Sequence, residues 1–192
     1  MDPDLAAYLA RHPAGARERA AWGADRSIHL RISAHLADEL PPAAFVQSVR
    51  GLLFHGDELM VLANRDTEAY VVPGGRRDGD EPLDATLRRE VGEETGWTLR
   101  EPRLLGFYWM HHTTPRPKGY RYLYPDFLQV VYAAEADEHR PELLVDDGYD
   151  FGAGFRPLAE AEQLALGPGE RLFLAAAIRR RAGGAAPPGR AQ

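Results

Sequence analysis

Apolar residues recur along the chain at two spacings, which separate strands from helices. In "SIHLRIS", Ile28, Leu30 and Ile32 alternate with polar neighbours, the pattern of a strand with one buried face. "FVQSVRGLLF" and "ELMVLANR" are apolar runs separated by His55, Gly56 and Asp57, which predicts a strand pair closed by a hairpin turn. "YVVPGG" predicts a short strand ending in a turn, and "RLLGFYWM" and "DFLQVVYAAE" predict further strands. Residues 4–12 and 16–22 read as short helices, "GFRPLAEAEQLAL" as a strand running into a helix, and Glu170 to Arg181 as the last helix. Strands mixed with a few helices and hairpin-length connections predict an α/β fold with a mixed sheet. The chain divides into an extension over residues 1–43, a main domain over 44–181, and a tail over 182–192 whose "GGAAPPGRAQ" predicts disorder.

The helix predicted over Leu83 to Thr95 carries the strongest chemical signal. Pro82 suits its first turn, Leu83, Leu87 and Val91 recur at i+4, and Gly96 supplies a stop. At about 100° per residue from Leu83, Leu87 and Val91 fall near 40° and 80°, while Glu90, Glu94 and Glu93 fall near 340°, 20° and 280°. The acids therefore continue the apolar stripe instead of opposing it. Carboxylates near a helix C-terminus also oppose the macrodipole, so a positive partner must compensate. A hard divalent cation such as Mg²⁺, bound by carboxylate oxygens, fits that need. Arg89 is spaced to pair with Glu93 at i+4.

Composition narrows the partners. The chain has 192 residues, 44% of them apolar, enough for one globular domain with an extension. Its formal charge is −6, so no broad basic field is present to hold an extended nucleic acid. The sequence contains no Cys, which removes disulfides, thiolate metal sites and cysteine nucleophiles. No apolar stretch approaches the length needed to cross a bilayer, and the reading is a cytoplasmic protein without a membrane partner.

From Gly75 the chain reads Gly75, five residues, Glu81, seven residues, then "REVGEETGW". This resembles the Nudix box G-x5-E-x7-R-E-U-x-E-E-x-G-U at every position, with Trp97 as an apolar variant in the last slot. The seven fixed Gly, Glu and Arg positions make a chance match in a chain of this length on the order of one in a million. The resemblance implies a Nudix-type α/β/α sandwich with a mixed central sheet. It also implies a hydrolase that cleaves a diphosphate linked to another moiety, usually in a nucleotide derivative, with Mg²⁺ or Mn²⁺ as cofactor.

By the same resemblance Glu90, Glu93 and Glu94 match the metal-binding positions, and the Gly74 carbonyl is an additional ligand. Arg89 and Glu81 match positions that orient the acids and tie loop to helix. Glu90 is the first choice for the group that takes the proton of the attacking water. Asp146, Asp147 and Asp150 in "LLVDDGYD" are further acids in reach of the metals, with Asp147 slightly favoured; the alternative is a solvated acidic turn. A domain that binds its nucleotide without turning it over is the competing reading of the whole chain.

Substrate choice is expected outside the box. The segment "FYWMHHTTPRPKGYRYLYPDF" carries Tyr108, Trp109, His111, His112, Tyr120, Tyr122 and Tyr124, together with Arg116 and Lys118. Its rings can stack a base or pack the loop on the sheet, and its cations can touch phosphate. Adjacent residues of a strand face opposite ways, so only one of His111 and His112 faces a site; His112, Tyr108 and Arg116 are kept as substrate contacts. Arg65, Arg76 and Arg77 flank the box and are candidates for a distal phosphate, with solvent exposure the alternative. His112 stands where ADP-ribose hydrolases of the family carry proline, and Thr113, Thr114 and Pro115 stand where dinucleoside polyphosphate hydrolases carry tyrosine. Isopentenyl diphosphate isomerases of this fold need the cysteine that is missing. RNA decapping and 5′ pyrophosphate removal fit the chemistry but are disfavoured by the acidic balance. Relatives often dimerise, and the strand-like segment 27–33 can serve an interface or extend the sheet.

Overall fold

The computed structural model of the chain describes residues 1–23, 25–64, 69–145 and 150–184. Its α-helices are α1 (Pro3–Arg11), α2 (Leu83–Thr95), α3 (Leu158–Ala161) and α4 (Pro168–Gly184). Its strands are β1 (Ala14–Trp22), β2 (Ile28–Leu36), β3 (Val46–His55), β4 (Glu58–Asn64), β5 (Trp97–His112), β6 (Asp126–His139) and β7 (Asp150–Pro157). They form one seven-stranded sheet in the order β1-β2-β5-β6-β3-β4-β7. Only β3 and β6 run parallel; the other pairs are antiparallel. The fold is thus an α/β sandwich with a mixed sheet.

Two apolar layers cover the two faces of the sheet. On one, Leu52, Phe54, Met110 and Val131 pack with Phe173, Leu174 and Ala177 of α4. On the other, Val49, Leu53, Phe107 and Val130 pack with Leu87 and Val91 of α2 and with Leu5 and Tyr8 of α1. Leu87 is fully buried and Val91 nearly so, and each such side chain contributes about 1.5–3 kcal/mol of transfer free energy. The i+4 stripe of α2 therefore anchors the helix, and its acids ride on the flank of that contact.

Two local expectations give way to tertiary contacts. Residues 16–22 form a strand, not a helix. Ala and Arg favour helices, but here Ala16, Glu18 and Ala20 turn inward while Arg17 and Arg19 face solvent. That period of two matches pairing with β2, from Ala14 opposite His35 to Trp22 opposite Ile28. "YVVPGG" forms no strand: residues 69 and 71–75 are irregular, and Tyr70 makes a single bridge to Leu62. The segment 27–33 becomes β2, paired with β1 on one side and β5 on the other. It extends the sheet. The first 43 residues therefore share the sheet of the main domain. At the other end α4 runs to Gly184, and residues 185–192 lie outside the described residues.

Candidate active site

The site is built where the loop before α2 runs back along β3. Val49 N–H donates to Gly75 O at 3.0 Å, Gly51 N–H to Pro73 O at 2.9 Å, and Arg77 N–H to Gln47 O at 3.1 Å. These bonds press residues 73–77 against the sheet. Gly74 has φ +136°, and a Cβ there would lie 2.3 Å from Val49 O, so only glycine fits. At Gly75 the obstacle is different: a Cβ would lie 2.3–2.6 Å from the carboxylate of Glu90. The diglycine lets the loop backbone close on both the sheet and the helix acids.

Loop and helix are locked together by charge. Gly74 N–H donates to Glu94 Oε2 at 2.8 Å, and Arg50 Nη1 donates to Gly74 O. Arg89 is the hub. Its Nε and Nη2 grip Glu81 at 3.1 and 2.8 Å, Nη2 also reaches Arg76 O at 3.0 Å, and Nη1 is shared between Glu90 Oε1 at 2.9 Å and Glu93 Oε2 at 3.2 Å. The two-toothed grip on Glu81 fixes the loop relative to the helix, because an Arg fork and a carboxylate match in geometry.

The same contacts set the proton affinities. Arg89 holds the Glu81 carboxyl down at about 2, chiefly through the hydrogen bonds it donates. Glu90 moves the other way: burial pushes its carboxyl up, Arg89 pulls it partly back, and Glu93 adds repulsion. Its side chain is 14% exposed, against 38% for Glu93. Glu90 is thus held partly desolvated, and it faces the diglycine.

The family model described as NUDIX domain matches residues 44–180. The chain belongs to the Nudix family. An RNA pyrophosphohydrolase of Bartonella henselae is 39% identical over 70 residues, 34% of this chain and 40% of that protein, so the match spans less than half of the relative. Among solved structures, the Bacillus subtilis pyrophosphohydrolase BsRppH aligns with TM-score 0.55 at 16% identity, covering 88% of this chain and 98% of its own. A UDP-X diphosphatase aligns with TM-score 0.50 at 13% identity over 77% of this chain and 66% of its own. At such identities the structural likeness speaks for the fold.

The remaining sequence-predicted residues scatter around this Nudix box. Arg76 and Arg77 flank it: Arg76 lies over the Tyr122 ring at 4.0 Å, and Arg77 Nε donates to Glu81 O at 3.0 Å. Arg116 Nη2 donates to Tyr120 O at 2.9 Å, within the loop between β5 and β6. Tyr108 is buried beneath α4, edge-on to Phe173 at 5.0 Å and pressed by Gly169. His112 is buried too, hydrogen-bonded to Tyr120 Oη at 3.2 Å and packed on Tyr124 and Phe127. Burial pushes its imidazole below the ordinary value. His111 instead pairs with Asp126 at 2.8 Å, as strand alternation requires. Arg65, Asp146 and Asp147 lie outside the described residues, and Asp150 opens β7.

Sequence reasoning missed Arg50, a polar residue inside an apolar strand, which holds the Gly74 carbonyl and bears electrostatically on both Glu90 and Glu170. It also missed Glu170, whose carboxylate accepts from Val71 N–H at 2.9 Å and Gly167 N–H at 3.1 Å and so ties the loop's approach to the start of α4. For Arg50 the available signal was a lone charge within an apolar run. Ser48 Oγ, beside Arg76 across an isolated bridge, is buried without a partner among the described residues.

Among the described residues no three His, Asp or Glu side chains already stand as a metal cage. The donor chemistry nevertheless suits a hard divalent ion. Glu90 and Glu93 each give one oxygen to the single nitrogen Nη1 of Arg89, leaving their second oxygens outside that contact. A carboxylate surplus persists around Arg89, with Glu81, Glu90 and Glu93 sharing one guanidinium.

Proposed function

We propose that this chain is a Mg²⁺-dependent hydrolase that cleaves the pyrophosphate bond of a nucleoside diphosphate derivative, releasing a nucleoside monophosphate and a phosphorylated remainder. Mn²⁺ substitutes in this reading. The observation that carries it is the interlock of loop and helix: Glu90 fills the space over Gly75, Glu94 accepts from Gly74 N–H, and Arg89 joins Glu81 to Glu90 and Glu93. A packing helix has no use for such an arrangement, since an apolar residue of similar size packs without the desolvation penalty that half-buried carboxylates carry.

Glu90, Glu93 and Glu94, with the Gly74 carbonyl, would hold the ion. When bound, it supplies charge neutralisation of the diphosphate and acidification of water. The protein's own part is positional. In this reading Glu90 accepts the proton of the attacking water as the water oxygen adds to phosphorus. Arg89 and Glu81 keep the acids and the loop in register while that proton moves. Asp147 remains a proposed additional ligand.

A panel of nucleoside diphosphate derivatives, dinucleoside polyphosphates and 5′-triphosphorylated RNA, assayed with Mg²⁺ or Mn²⁺, tests the proposal. Product release is expected to vanish with chelator and to fall by about 10²-fold or more in Glu94→Gln. Tight binding of panel members with no turnover overturns the reading in favour of a nucleotide sensor.

A further inference from the structure

A cleft of about 620 Å³ opens beside the box, lined among others by Gln47, Arg77, Arg116, Arg121, Tyr122 and Tyr124. Among the described residues no Asp or Glu lines it. None of its arginines takes part in an ion pair among the described residues. Another cavity, of about 430 Å³, makes the contrast: of its arginines, Arg103 is paired with Glu101 and Arg181 with Glu135, while Arg180 is in no ion pair among the described residues. In a chain with net charge −6, an uncompensated cluster of cations around one concavity is a local field of the sign that attracts phosphate.

The cleft is also furnished with rings held in place. Tyr122 carries Arg76 over one face at 4.0 Å and accepts from its Nη1 at 3.3 Å. Arg121, then Arg76, lowers the proton affinity of the Tyr122 hydroxyl. Tyr124 Oη donates to Thr114 O at 2.7 Å, and Leu123 N–H to Gln47 Oε1 at 3.0 Å, pinning the loop to β3. The wall of the cleft shares its backbone with the box: Arg77 bonds Glu81 O at 3.0 Å, and the neighbouring Arg76 O accepts from Arg89 at 3.0 Å.

We propose that this cleft binds a second nucleotide unit of the substrate, its phosphate on Arg77, Arg116 and Arg121 and its base against Tyr122 or Tyr124. The proposal rests on the catalytic reading above and narrows its substrate class to molecules that carry a phosphate and a flat ring beyond the nucleoside diphosphate. A volume of about 620 Å³ lies within the roughly 300–1,000 Å³ usual for small-ligand sites. It suits one such unit and not a long polyanion, which reconciles the local basic cleft with the acidic whole. Arginine supplies forked contacts to phosphate, and tyrosine a face for any base. The second unit is part of the 5′ end of a nucleic acid or half of a dinucleotide; both present the same chemistry.

Binding separates this proposal from the catalytic one. In Glu93→Gln with Mg²⁺ present, affinities are measured for a nucleoside 5′-diphosphate, for that probe extended by a 3′-linked nucleotide, and for a dinucleoside 5′,5′-diphosphate. At least one two-unit probe is expected to bind about tenfold or more tightly than the one-unit probe. That ratio is expected to fall towards one in the added double substitution Arg116→Ala and Arg121→Ala, and to persist in Arg103→Ala. Preference for the extended probe identifies a nucleic-acid end, and preference for the dinucleoside probe a dinucleotide. Equal binding of one-unit and two-unit probes, or a ratio that survives loss of both arginines, overturns the proposal. If the ratio behaves as expected but the wild-type protein hydrolyses neither these probes nor any member of the panel above, the catalytic reading fails while the cleft stands.

Discussion

Gly75→Ala isolates the role of Glu90. The added methyl would begin 2.3 Å from Glu90 Oε2, 2.5 Å from Cδ and 2.6 Å from Oε1, whereas ordinary contact starts near 3.4 Å. Something must move by about 1 Å. Gly75 is absent from the residues with positive φ, so alanine suits its backbone, and the obstacle is the free end of a side chain. The carboxylate therefore yields while the loop stays. Stability should change by less than about 1 kcal/mol, read by thermal unfolding. A displacement of about 1 Å at a reacting group costs on the order of 10²-fold in rate, or about 2.7 kcal/mol of barrier. The assay is steady-state pyrophosphate cleavage by folded protein on whichever panel member the wild type turns over. A folded variant with activity within about threefold of wild type would refute the positioning of Glu90 against the diglycine; an unfolded one would refute the claim that the side chain yields first.

Gly74→Ala should act on the fold instead, because its Cβ meets the Val49 carbonyl at 2.3 Å with φ +136°; a loss of about 2 kcal/mol or more is expected in denaturant unfolding. Arg89→Ala strands the carboxylates it joins, and with the Arg89 side chain 28% exposed a destabilisation of about 2 kcal/mol is expected, between the values for surface and buried pairs, again by denaturant titration. In an NMR titration the Glu81 carboxyl should ionise at about 2 in the wild type and return towards 4.5 in Arg89→Ala. Because its folded value is depressed, Glu81 contributes stability above about pH 4.5 and loses it as pH falls towards 2; an unshifted wild-type carboxyl would contradict the fork seen at Arg89.

The acidic flank of α2, the diglycine and the spacing from Gly75 to Trp97 were legible in the chain itself. A helix period maps sequence onto one cylinder, so Glu90 and Glu94 beside Leu87 and Val91 follow from numbering alone. The hairpin at Gly56 and the long apolar strands were equally local. Residues 16–22 were not, because their Ala and Arg content favours a helix until β2 offers partners, from Ala34 opposite Ala16 to Ile28 opposite Trp22, and a window over residues 16–22 alone does not contain those partners. The same holds for the reach of Arg50 to Gly74, the tie from Glu170 to Val71, and the burial of Tyr108 under α4. Sequence determined which side chains could form the site. Only the tertiary fold decided which cations pair with carboxylates and which line the cleft outside any ion pair among the described residues, because that depends on distances between segments far apart in the chain.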